Sequence, residues 1–168
     1  MSKLDVNPIP KGYEGMTPHL FVNNAADAIE FYKKAFGAQE EYRHTLPDGK
    51  SIVHAVIRIR DHNLMIADYL PDMCGDSVGS PSLLGRTTVL LSLYVEDADR
   101  FFDTAQAAGA TVHMPLMDAF WGDRYGQLKD PYGHIWEIAT HKKDMSKDEI
   151  DTAAREAFAQ MSKNMSNQ

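Results

Sequence analysis

The chain has 168 residues, 43% of them hydrophobic and 24% charged, which is the composition of a globular domain and excludes an intrinsically disordered chain. Seventeen basic against 24 acidic residues leave a net charge of −7, which disfavours nucleic acid and anionic membrane as partners and permits a cationic ligand. The single cysteine, Cys74, forms no internal disulfide and no cysteine-based metal cluster, and no run approaches the ~18 apolar residues of a membrane span.

The first 16 residues are polar and rich in Pro and Gly. They lack the apolar core of a signal peptide, so a cytoplasmic protein is expected. A first unit follows over residues 17–70. Thr17–Val22 reads as a strand. Asn24 suits a helix N-cap and Gly37 the left-handed position that ends the helix between them. Ala28, Ile29, Tyr32, Ala35 and Phe36 give that helix, Ala25–Phe36, one apolar face. Glu40–Leu46 is a strand ended by the turn Pro47-Asp48-Gly49. Ile52–Arg60 and Asn63–Asp68 then form a hairpin. Residues 71–86, with Gly, Ser and Pro throughout, read as a linker.

Residues 87–141 repeat the pattern. Val89–Val95 is a strand, Ala98–Ala107 a helix capped by Asp97 and Gly109, and Thr111–Met117 a strand. Tyr125–Lys129 and His134–Ala139 form a hairpin closed by Asp130-Pro131-Tyr132-Gly133. The offset between copies is 72 residues at Gly37 and Gly109, and the same offset lays Asp61–Ala67 over Gly133–Ala139. A helix and a downstream strand matching at one offset define a tandem repeat. The fold class is therefore α+β, with two βαβββ units. In residues 142–168, Ser146 and Glu149 form a capping box ahead of a helix striped by Ile150, Ala153, Ala154, Ala157, Phe158 and Met161. That stripe covers either its own domain or a second copy of the chain.

Two such units, and the stretches TPHLFVNNAADAIEFYKKAFGA, HAVIRIRDHNLMIAD and FWGDRYGQLKDPYGHIWEIATH, resemble the vicinal oxygen chelate superfamily, which holds glyoxalase I, extradiol dioxygenases and the fosfomycin and bleomycin resistance proteins. The wording is closest to its PhnB-like branch, and the resemblance spans Thr17 to His141. It implies strands curled around a cleft, with each helix on the outer face and ligand on the inner one. Strand alternation then turns His19 and Phe21, His54, Val56 and Arg58, Ser92 and Tyr94, and Ile135, Glu137 and Ala139 inward.

The metal positions that the resemblance carries over fall on Thr17, Met65, Leu90 and Glu137. Glu137 alone suits a hard or borderline divalent ion, and His19 beside it would make two ligands where three or four are usual. No metal or other cofactor is expected. Glu137, among apolar neighbours, is the candidate catalytic base. His19, His54, Tyr94, Trp121, Arg124 and Tyr125 are the candidate ligand contacts, Arg124 as a planar donor fork and the aromatic residues as flat walls. His62, His113, His134 and His141 read as surface residues. Two functions follow. One is a metal-free small-molecule-binding protein of the bleomycin resistance type, working as a homodimer. The other is a lyase or isomerase in which Glu137 takes a proton, with or without a metal at His19.

Overall fold

The computed structural model describes residues 6–75 and 78–166. The elements run β1 (His19–Val22), α1 (Ala25–Phe36), β2 (Gln39–Thr45), β3 (Ile52–Ile59), β4 (His62–Asp68), α2 (Pro71–Cys74), α3 (Pro81–Leu84), β5 (Leu90–Tyr94), α4 (Ala98–Ala108), β6 (Thr111–Asp118), β7 (Asp123–Lys129), β8 (Ile135–His141) and α5 (Lys147–Ser166). They build two four-stranded sheets of the same order, β1-β4-β3-β2 and β5-β8-β7-β6. In each, the first strand lies parallel to the last and the other pairs are antiparallel. This is the α+β fold of two βαβββ units that the repeat implies. Thr17 lies outside β1, and the linker holds two short helices, each started by a proline that suits the first helical turn.

The caps repeat as the offset predicts. The Asn24 side chain accepts from the Asp27 N–H and that of Asp97 from Arg100. Each unit also closes on itself. Asp68 at the end of β4 accepts the Ala25 N–H at 2.7 Å, and Thr140, its repeat equivalent at the end of β8, accepts the Ala98 N–H at 2.8 Å. One donor left free by each helix start is thereby satisfied from the far end of the same unit.

The alternation of each strand sends one set of side chains to the helices. Leu20, Val22, Ala55, Ile57, Ile59 and Ile66 from the first sheet and Leu128, Trp136 and Ile138 from the second join α1 and α4 in one core. The helices pack against each other. Phe36 stacks on Phe101 at 5.3 Å between ring centres and meets Trp136 edge-on at 4.7 Å. Asp130, 3% exposed, ties the units together from inside this core. One of its oxygens accepts from the N–H groups of Tyr132 and His134, each at 2.9 Å. The other accepts from the Tyr32 hydroxyl at 2.7 Å and the Trp136 indole at 2.9 Å. Burial, and then the Asp130 carboxylate, push the Tyr32 hydroxyl well above the ordinary tyrosine range, so it stays a donor.

Each four-stranded sheet packs its helix on one face, in a core common to both units, and leaves the other face open.

Candidate functional site on the second sheet

On the open face of the second sheet, β5 and β7 bring three polar side chains to one carboxylate on β8. The register sets Ser92 beside Glu137 and Gln127 across from it. Glu137 accepts a hydrogen bond from the Ser92 hydroxyl on one oxygen. On the other it accepts from the Tyr125 hydroxyl at 2.5 Å and, more weakly, from the Gln127 amide at 3.4 Å. The Gln127 amide also donates to the Tyr125 oxygen at 2.7 Å. Burial, and then the bond to Glu137, raise the Tyr125 hydroxyl above its ordinary value. The expected apolar setting of Glu137 is corrected: its nearest neighbours are donors.

A second carboxylate sits at the end of the same face. Asp123, buried, accepts from the Tyr94 hydroxyl at 2.6 Å and the Trp121 indole at 2.9 Å, and pairs with His141 Nδ1 at 2.8 Å. Burial works against its charge, but the bonds from Tyr94, His141 and Trp121 outweigh it and hold the carboxyl below its ordinary value. Trp121 meets Tyr125 edge-on at 5.2 Å, joining the two carboxylate groups through aromatic contact. Around them the face is apolar and open, with Leu90 43% and Tyr94 60% exposed and Met114 and Met117 also in solvent.

Of the expected residues, Glu137, Tyr125, Trp121 and Tyr94 share this face. His19 and His54 share the open face of the first sheet, edge to face at 5.6 Å, so they stand apart from Glu137 in the chain. Phe21 stacks on His19 at 4.8 Å, and Tyr42 lies beside His54. Arg124 is not in the site. Its guanidinium holds Asp99 of α4 at 2.8 Å and reaches Asp118 at 3.5 Å. His134 is a correction too: at 8% exposed it is buried, its Nε2 without a hydrogen-bond partner. His141 is half-exposed but clamped between Asp123 and Asp144. The sequence turns Ser92 inward without a role and places His141 at the surface, where it is half-exposed, while Asp123 and Gln127 carry no expectation as site residues. The signal for Gln127 and Asp123 was their alternation with Tyr125 along β7.

The two histidine environments titrate in opposite directions. Burial, and then repulsion from His54, lower His19 below 6.5. Bonds to Asp144 and Asp123 raise His141 above 6.5. His141 therefore contributes most to holding the start of the C-terminal segment below pH 6.5, and that contribution is lost as pH rises through its raised value. Imidazole resonances followed by NMR should titrate in the order His19, then His141, as pH increases. The reverse order would contradict these contacts.

As to metal, the four positions carried over from the resemblance hold Thr17, Met65, Leu90 and Glu137, whose donor chemistry does not fit a hard or borderline ion. Among the described residues, no group of three or more His, Cys, Asp or Glu side chains is placed to hold one.

Two βαβββ units, each with a helix on one face of its sheet and an open face on the other, define the glyoxalase-like class of fold. Residues 16–138 match the Glyoxalase/Bleomycin resistance protein/Dioxygenase superfamily, and the chain belongs to it. It is 46% identical over 138 residues to an uncharacterised protein of Mycobacterium bovis, covering 82% of this chain and 90% of that one. Among solved structures it is similar to TioX from Micromonospora sp. ML1, with a TM-score of 0.60 and 26% identity over 76% of this chain and 99% of the other. The PhnB protein of Bacillus cereus shares the fold, with a TM-score of 0.58 and 18% identity over 76% and 99% of the two chains.

Proposed function

We propose that the protein binds a small molecule on the open face of its second sheet, in the manner of the bleomycin resistance branch of its family, and that a second copy covers that face. The observation that carries this reading is the Glu137 cluster: a carboxylate oriented by Ser92, Tyr125 and Gln127 in the middle of a face with exposed Leu90, Tyr94, Met114 and Met117. A few oriented polar groups on an apolar surface fix a ligand's orientation while the apolar area holds its body. The ligand chemistry that fits is an apolar or aromatic body bearing a hydrogen-bond donor for Glu137. Homodimerisation supplies the missing wall, since exposed apolar side chains of this size gathered on one face mark a contact surface.

Catalysis by Glu137 as a base is the second reading. Both its oxygens already accept short bonds, from Ser92 and Tyr125, which suits a fixed anchor better than a group that takes a proton from its ligand. Light scattering at micromolar concentration should give about twice 18.8 kDa. A monomer there removes the shared-wall reading. A thermal-shift screen of small molecules then tests binding itself: no stabilising compound across a broad aromatic library would count against the proposal.

A further inference from the structure

The segment before β1 is docked on the first sheet. Pro10 to Tyr13 form a turn closed by the Tyr13 N–H on the Pro10 carbonyl at 3.1 Å, with Gly12 at a φ of 87° that favours glycine. The Asn63 amide donates to the Gly12 carbonyl at 3.1 Å, and a Cβ on Gly12 would come within 2.9 Å of that same amide. Glu14 accepts the Gly12 N–H at 2.8 Å. The arm lies outside the residues that match the family.

Between the arm and strands β2 and β3 is a cavity of about 680 Å³, within the range of small-molecule sites. Tyr13, Tyr42 and the buried Val56 line it. Arg58 is engaged along the wall: its guanidinium donates to Glu41 at 2.9 Å, to Gln39, and to the Arg60 carbonyl at 3.1 Å. Its charge is offset by that of Glu41. Glu14 accepts the Gly12 N–H through one oxygen and Asp61 lies within electrostatic reach of Arg60, so that with Arg58 and Glu41 paired the lining sets Glu14 and Asp61 against Lys11.

We propose that this cavity is a binding site for a small organic cation, an alkyl- or arylammonium, held by the Tyr13 and Tyr42 rings and the carboxylates of Glu14 and Asp61. Aromatic rings beside carboxylates attract a weakly hydrated cation. The site does not rest on the Glu137 reading. The probe is benzyltrimethylammonium, titrated at low salt and followed by NMR, with benzoate and benzyl alcohol as controls. Saturable shifts are expected at Val56, Tyr13 and Tyr42 with the cation. Tyr13→Ala should weaken binding about fivefold or more, and Asp61→Asn should weaken it about threefold. Glu137→Gln should leave it unchanged. Absence of saturable shifts at these residues, equal binding of benzoate or benzyl alcohol, or binding untouched by both arm and Asp61 substitutions would overturn the proposal.

Discussion

Asp130→Asn should lower the stability of the protein by about 3 kcal/mol or more. The side chain is buried and accepts four hydrogen bonds, two on each oxygen. An amide of the same shape can accept on one side only. Its NH₂ must face either two backbone N–H groups or the Trp136 indole, none of which can accept. For a domain of this size the loss corresponds to a fall in melting temperature of about 6–12 °C. Calorimetry checks it, and a double-mutant cycle with Tyr32→Phe isolates the bond that joins the two units. A shift within about 1 °C would mean that the network contributes little.

Glu137→Gln should behave in the opposite way. The residue is partly buried, and two of its three donors are hydroxyls that can rotate to accept from the new amide. The stability change should stay within about 1 kcal/mol. Binding of a compound found by thermal-shift screening should weaken about tenfold or more, because a hydrogen bond to a charged acceptor is worth ~1.5–3 kcal/mol. A structural carboxylate would give the reverse: a loss of ~3–5 kcal/mol with binding intact in whatever protein still folds. That outcome would remove Glu137 from the site.

The local structure was legible in the sequence because its causes are local. Caps at Asn24 and Asp97, the helix-ending Gly37 and Gly109, and the alternation of Ala55, Ile57 and Ile59 lie within a few residues of what they determine. The packing of one unit on the other was not, since an apolar helix face looks the same whether it meets its own sheet or a second helix. The site was legible in part. Alternation puts Glu137 and Tyr94 on an open face, but Arg124 pairs with Asp99 on the neighbouring helix, 25 residues distant. Asp130 was hidden for another reason. Asp-Pro-Tyr-Gly reads as a turn, and the turn is present, but the partner that gives Asp130 its importance is Tyr32, 98 residues earlier.

The way Asp68 and Thr140 return to the starts of their own helices has a consequence for how the two halves cohere. Each unit satisfies its helix start from its own last strand, so neither borrows backbone pairing from the other. What joins them is lateral: aromatic rings from α1, α4 and β8, the buried hydroxyl–carboxylate bond, and the Arg60–Glu96 ion pair. The linker between them is part of that union. The buried Ser80 donates to Asn23 of the first unit at 2.9 Å and the Ser82 N–H donates to the Tyr132 carbonyl of the second at 3.2 Å, so it holds the two halves in place as well as raising the concentration of one around the other.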